Sequence, residues 1–325
     1  MAIIGSSIVE AQKLLEAGKL VAVPSETVYG LAANALNEEA VLAIFKAKNR
    51  PTFDPLIVHT HHVDEISRFA QVSSNWVNKL ADNFWPGPLT LLLSKRKIIS
   101  DLVTSGLDTV AIRIPNHPLT LSLLKKLDFP LAAPSANPFG YISPTTAQHV
   151  KDQLEDQIDY ILDGGACDIG LESTILSLVG STPKVLRLGG LSLENIEDVI
   201  GKVEITSHSS STPAAPGMLK SHYAPKKSIV RIADMDSEAF NDFSEIGTVV
   251  FQHTHKKIPE KNQVVLSPTG NVEEAAKHFF AAFRTMDERS EIKTICVESV
   301  PNYGLGRAIN DRIKRATAKK DNENN

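Results

Sequence analysis

The segment from Thr206 to Pro225 limits the fold more than any other part of this chain. It reads Thr-Ser-His-Ser-Ser-Ser-Thr-Pro-Ala-Ala-Pro-Gly-Met-Leu-Lys-Ser-His-Tyr-Ala-Pro. So much Ser, Thr, Pro and Gly cannot bury enough apolar surface to fold alone, and the prolines interrupt both helix and strand. The chain is therefore expected to form two bodies: a large domain over 1–205 and a small one over 227–318, joined by a linker or lid at 206–226. The charged, amide-rich tail at 319–325 is expected to fray. With 325 residues, 42% of them hydrophobic, each body has enough material for its own core.

Before the linker, helical and strand patterns alternate irregularly. Ile8, Ala11, Leu14 and Leu15 share one helical face, with Gly18 as a stop. Asn37 is placed to cap a helix whose stripe is Val41, Ile44 and Phe45. Further helices are predicted over 74–84, 118–127, 145–154 and 193–200, with Ser143 as N-cap and Pro144 as first helical residue of the third. Strands are predicted at 20–24, 56–59, 89–93, 110–114, 131–133, 174–179 and 185–188. Several strands in succession suggest a mixed sheet with helices rather than a strict βαβ series. The small domain repeats strand and helix, at 229–232, 249–251, 272–284, 294–297 and 306–315, which fits a largely parallel α/β sheet.

The formal net charge of −4 argues against a chain built to coat nucleic acid, which carries a basic excess. The longest apolar runs, such as Leu89 to Leu93, fall far short of the ~20 residues of a membrane span, and no secretory signal pattern opens the chain. Cys167 and Cys296 lie in different halves and are read as reduced, buried thiols of a cytoplasmic protein. His59 and His61 share one side of an extended stretch, yet no H-E-x-x-H motif or Cys cluster accompanies them, so no dedicated metal site is expected.

Chemistry gathers in a few segments. Pro24-Ser25-Glu26-Thr27-Val28-Tyr29-Gly30-Leu31 follows a buried strand, where α/β proteins place ligand contacts; a turn with a cap explains it as well. Lys46-Ala47-Lys48-Asn49-Arg50, three cations in five positions, ends a helix that Pro51 forbids from continuing. These cations could hold a polyphosphate or simply complement the helix macrodipole. Ala133-Pro134-Ser135-Ala136-Asn137 closes a strand, and Arg113 and Arg187 sit within strand patterns, as anion clamps or as snorkelling edge residues. Neither G-x-x-x-x-G-K-[ST] nor a helix-opening G-x-G-x-x-G is present, so any nucleotide is held by another kind of loop.

Together these segments resemble the YrdC-like threonylcarbamoyl-AMP synthases in their longer, two-domain form. The resemblance rests on the 24–31 segment, on Lys48-Asn49-Arg50 paired with Ser135-Ala136-Asn137, and on Pro86-Gly87-Pro88-Leu89-Thr90. It continues through Arg113-Ile114-Pro115, Glu172-Ser173-Thr174 and Arg187-Leu188-Gly189. Pro216-Gly217-Met218 with His222-Tyr223-Ala224-Pro225 is similar to the joining segment, and Gly304-Leu305-Gly306 with Asn310-Asp311-Arg312 to the end of the second domain. The resemblance spans nearly the whole chain, in order.

It implies an α/β fold with a twisted mixed sheet and helices around a basic cleft, plus a small Rossmann-like α/β C-terminal domain. It also implies ATP-dependent, Mg²⁺-assisted synthesis of threonylcarbamoyl-AMP from L-threonine and bicarbonate. The product would pass to tRNA threonylcarbamoyl transferase proteins acting at tRNA position 37. Thr27, His59, Arg113, Ala133 and Ser173 match the threonine contacts. Lys48, Arg50, Asp54, Thr109, Ser135, Asn137, Ser143, Arg187 and Tyr223 match the nucleotide contacts, with Lys48 and Arg50 as catalytic cations. Asp54 departs from the Asn often found there. Arg50, read as an exposed cleft charge, is expected to be replaceable by Ala without harm to the fold. The alternatives are a non-catalytic RNA-binding module of the same fold and a carbamoyltransferase of the hydrogenase-maturation type, whose zinc-finger cysteines are missing here.

Overall fold

The computed structural model describes every residue except 73, 207–212, 214, 220, 235–242 and 319–325. The expected frayed tail and part of the expected linker therefore lie outside the described residues. Two compact units emerge: Met1–Phe139 with Ser143–Leu219, and Gly140–Ile142 with Lys220–Asn325. The division falls inside the Ser/Pro-rich segment, whose first part thus belongs to the first unit.

The strands of the first unit are β1 (Ile3–Gly5), β2 (Val21–Val23), β3 (Gly30–Asn34), β4 (Ile57–His59), β5 (Leu89–Ser94), β6 (Thr109–Arg113), β7 (Leu131–Ala132), β8 (Tyr160–Leu162), β9 (Thr174–Ser177), β10 (Lys184–Arg187) and β11 (Glu204–Ile205). They form one sheet in the order β1-β8-β2-β3-β7-β4-β6-β5-β9-β10-β11. It is mixed: β4 runs parallel to β6 and β5 to β9, whereas β5–β6, β2–β3 and β9–β10 are antiparallel. Its helices are α1 (Ile8–Glu16), α2 (Glu38–Lys48), α3 (Ile66–Phe69), α4 (Asn75–Phe84), α5 (Asp101–Thr104), α6 (Pro118–Leu124), α7 (Ala147–Leu154) and α8 (Leu193–Ile200).

Strand alternation decides where the core and the cleft lie. Val58 of β4, Leu89, Leu91 and Leu93 of β5, Val110 and Ile112 of β6 and Leu176 of β9 join the main core with Val41, Ile44 and Phe45 of α2. On the other face, the half of the sheet around β2, β7 and β8 packs against Ala11 and Leu15 of α1 and Leu123 and Leu124 of α6. The rest of that face carries Ile57, Leu92, Ala111, Ile175 and Leu186, joined by Ala215 and Met218 and by no helical residue. This part of the face is covered by linker residues and not by a helix.

Helix ends follow local chemistry. Ser7 caps α1 by accepting from the Glu10 N–H, and Asn37 caps α2 by accepting from Glu39 and Ala40. Asn49, in the left-handed region at φ 51°, ends α2. The predicted start at Ser143 and Pro144 is corrected: α7 begins at Ala147, and Thr146 is the cap. The Ser143 hydroxyl is taken by Glu172, and the Pro144 carbonyl accepts from Tyr29 N at 2.9 Å, so this stretch is used in joining loops.

In the second unit β12 (Ser228–Arg231), β13 (Ile246–Val250), β14 (Gln263–Val265) and β15 (Thr294–Val297) form a parallel sheet ordered β12-β15-β13-β14. Helix α9 (Val272–Glu288) buries Phe279, Phe280 and Phe283, and α10 (Gly306–Ala316) buries Ile309 and Ile313. Among the described residues no helix is long and apolar enough to cross a membrane.

Candidate active site

The cleft floor is the β4-β6-β5-β9-β10 portion of the sheet, and polar side chains stand where its strands end. His59 and Arg113 are Cα partners across the parallel β4–β6 pair. Arg113 is buried, donates from Nε to the Gly87 carbonyl at 3.1 Å, and sets Nη2 2.8 Å from Glu26 Oε1. The His59 ring approaches its own strand's Ile57 carbonyl at 3.2 Å. Burial, reinforced by the Arg113 charge, pushes its pKa down from 6.5 to about 3, so the ring is neutral at ordinary pH.

The 24–31 segment is stitched into place. Ser25 Oγ donates to the Val28 carbonyl at 2.6 Å and lies 2.8 Å from Thr27 Oγ1, and Thr27 is fully buried. Tyr29 N and Leu31 N donate to the Pro144 and Pro134 carbonyls, Ala136 N donates to the Tyr29 carbonyl, and Ala133 N donates to Ile57 O at 3.0 Å.

Opposite lies the Lys48-Asn49-Arg50 turn. Lys48 does not point to solvent: Nζ donates to the Ser135 carbonyl at 2.6 Å and to the Asn137 carbonyl. Burial first, and the neighbouring Arg50 charge second, hold its pKa well below the ordinary lysine value, opposed by Asp54. Lys46, two residues earlier, is exposed, and it is the residue that suits the macrodipole reading. Arg50 donates from Nε to Asp54 O at 3.0 Å and from Nη2 to Pro55 O at 2.7 Å, and pairs with Asp54 Oδ2 at 3.0 Å. The expectation that Arg50 is an exposed charge is thereby corrected, because it is 8% exposed and holds a turn together. Asp54 is fully buried, and desolvation raises its pKa against the opposing charges of Arg50, Lys48 and Arg187.

Arg187 joins the two halves of the cleft. It donates to Ser173 O from Nε at 3.1 Å and from Nη2 at 2.9 Å, to Ser173 Oγ at 3.1 Å, and from Nη1 to Pro216 O at 3.1 Å. Ser173 Oγ is also 2.7 Å from Thr90 Oγ1. The Gly189 backbone lies so close to β9 that a Cβ there would stand 2.2 Å from Glu172 O; only glycine permits that approach. Ser143, fully buried, donates to Glu172 Oε1.

Thr109, half-buried, is on the same face as Arg113 but at the other end of β6, about 13 Å away at about 3.3 Å per residue. Tyr223 belongs to the second unit, where Arg312 lies 4.8 Å over its ring and Phe280 5.7 Å from it, centroid to centroid. The sequence reading gave no role to Glu26, Glu172, Pro216 or Met218. Charge alone marked the first two, since a carboxylate directly after or before a buried strand needs a partner.

Residues 13–189 match the Sua5/YciO/YrdC family, described as telomere recombination, and residues 191–318 match the threonylcarbamoyl-AMP synthase C-terminal domain. The chain is 40% identical over 317 residues to the threonylcarbamoyl-AMP synthase of Pyrococcus abyssi, covering 94% of this chain and 93% of that protein. It is 39% identical over 323 residues to that of Bacillus subtilis, covering 95% and 92%. The crystal structure of P. abyssi Sua5 complexed with L-threonine superposes with a TM-score of 0.89 at 38% identity, over 98% of this chain and 97% of that one.

Proposed function

The chain belongs to the Sua5/YrdC family in its long, two-domain form, and from that premise we propose that it makes threonylcarbamoyl-AMP from L-threonine, bicarbonate and ATP. The reading rests chiefly on one observation: Arg187, bonded to Ser173 and charge-coupled to Asp54, links the polar corner at Arg113, His59 and Ser173 to the cationic turn at Lys48 and Arg50.

The amino group of threonine condenses with bicarbonate to give the N-carboxy acid and water. One carbamate oxygen then attacks the α-phosphorus of ATP, the α–β P–O bond breaks, and pyrophosphate leaves. This is adenylyl transfer, which makes the enzyme a nucleotidyltransferase. No covalent enzyme intermediate is required; holding two anions together in a dry cleft is the protein's task. Arg113 receives the amino acid's carboxylate, and neutral His59 with Thr27 and Ser173 surrounds it. Arg187 and Arg50 face the phosphates, while Lys48 fixes the Ser135–Asn137 loop that lines them. Ala215 and Met218 exclude water from the labile mixed anhydride.

Mg²⁺ would arrive with the nucleotide. Asp54, whose carboxylate oxygens have no hydrogen bond, is the acid among these cations. The product would serve threonylcarbamoylation of tRNA position 37 through separate transferase proteins. Pyrophosphate release should require threonine and bicarbonate together, with ATP and Mg²⁺ present. Release needing neither would identify another ATP user. A salt-sensitive RNA shift without turnover would favour a binding module.

A further inference from the structure

Glu26 and Arg113 form a close but misaligned pair. Glu26 Oε1 lies 2.8 Å from Arg113 Nη2, yet among the described residues neither atom has a hydrogen-bond partner. Both side chains are more than nine-tenths buried. Buried groups left in this way cost free energy, and native structures seldom keep two adjacent ones unless a ligand completes them.

The remaining contacts fix the pair in place. Glu26 Oε2 accepts from Asn116 N at 3.1 Å, the Glu26 carbonyl accepts from Ile169 N at 2.8 Å, and Arg113 Nε is held by the Gly87 carbonyl. Neither side chain can turn far to improve its alignment with the other. What stays available is Nη2 of Arg113 and, beside it, Oε1 of Glu26.

We propose that Glu26 receives the α-amino group of the amino acid whose carboxylate Arg113 holds, so that the two side chains together form a zwitterion receptor. In an α-amino acid the ammonium and the carboxylate hang from the same carbon, so their receptors must be neighbours, as these are. The charge count agrees. Arg113 is positive, Glu26 negative and His59 neutral, so the corner as a whole matches a zwitterion and not a simple anion. A carboxylate receptor alone needs no buried acid beside its arginine; such an acid weakens anion binding unless it has an ammonium of its own to bind. Once the amine is carboxylated, its remaining N–H can still donate to Glu26 Oε1, so the contact outlasts the first chemical step.

This inference rests on the threonine-binding reading above, and its test separates the two. Calorimetry of the full chain would compare L-threonine with (R)-3-hydroxybutyrate, which is threonine without its amino group. The wild type should bind threonine and prefer it strongly. Glu26→Gln should lose at least tenfold in threonine affinity while binding (R)-3-hydroxybutyrate as well as before or more tightly, because Arg113 has lost its competing acid. If the Gln variant melts early, Glu26→Asp keeps the charge but withdraws the oxygen by one methylene, and should show the same selective loss. Unchanged threonine affinity overturns the proposal. Equal weakening of both ligands also overturns it, leaving Glu26 as a support for Arg113 only. A wild type that binds no threonine overturns the underlying reading instead.

Discussion

Lys48 Nζ lies 2.6 Å from the carbonyl oxygen of Ser135, 87 positions further along the chain. With its second bond to the Asn137 carbonyl, this makes the Lys48 and Ser135–Asn137 segments one buried latch. The ammonium has left water to bond two backbone carbonyls, and both would lose this donor if it were removed, the Ser135 carbonyl keeping the Asn137 N–H at 3.1 Å.

Lys48→Met should therefore cost stability as well as activity. Each carbonyl loses a charge-assisted hydrogen bond worth about 1.5–3 kcal/mol, offset in part by no longer burying the ammonium. A net loss of about 2–4 kcal/mol in urea unfolding is expected, with pyrophosphate release reduced at least a hundredfold. Full stability with lost turnover would mean that Lys48 acts on the nucleotide alone.

Arg187 holds Ser173 with one edge of its guanidinium and Pro216 with Nη1. Lys in its place keeps the charge but lacks the fork that reaches both. Arg187→Lys should raise the KM for ATP about tenfold or more. It should also speed hydrogen exchange across Gly217 to Leu219, because the anchor that holds Met218 on the floor is gone. A higher KM with unchanged exchange would show that Arg187 contacts the nucleotide without fastening the linker.

Much of this fold was legible because its signals are local. Asn37 caps a helix where cap chemistry predicts, the helices predicted from 193 and 272 begin there, and the runs at Leu89 and Thr109 are apolar enough to mark strands. The sequence reading missed β1, β3, β8, β11 and β14. Four of these are two or three residues long, and β3 reads Gly-Leu-Ala-Ala-Asn, without a β-branched residue. They are strands because they have neighbours in the sheet, a non-local cause. The site followed the same rule. Residue types showed that Arg113 and Arg187 suit anions, but not that Arg113 stands beside Glu26 or that Arg187 grips Pro216. Ser143 had the composition of a cap and became the donor to Glu172, 29 positions away.

His59 makes stability depend on pH. Its folded pKa is about 3 against an ordinary 6.5, so between those values only the unfolded chain takes up this proton. Stability is then lost as pH falls below 6.5, at up to about 1.4 kcal/mol per unit. Between pH 7 and pH 5 the wild type should lose about 2 kcal/mol relative to His59→Gln, in a window above most carboxylate titrations. Parallel stability curves for the two proteins would show that the ring charges freely in the folded state.

Arg50 and Asp54 test whether the phosphate turn is built on a buried ion pair. Arg50→Ala leaves the fully buried Asp54 carboxylate without its 3.0 Å partner, and breaking one side of such a pair costs about 3–5 kcal/mol. Asp54→Asn removes the charge that burial penalises, while Arg50 keeps its carbonyl acceptors at Asp54 and Pro55; it should change stability by less than about 1 kcal/mol. The double variant should then be more stable than Arg50→Ala alone, with a coupling of about 2 kcal/mol or more in a double-mutant cycle. Acid should relieve the single variant. Desolvation already raises the folded pKa of Asp54, and without Arg50 it rises further. The folded state therefore holds a proton that the unfolded chain releases near pH 4, and stability falls as pH climbs through that higher value. Arg50→Ala should accordingly lose less against wild type at pH 5 than at pH 8. Equal losses at both, with no coupling in the cycle, would show that Arg50 holds this turn through the two carbonyls and not through Asp54.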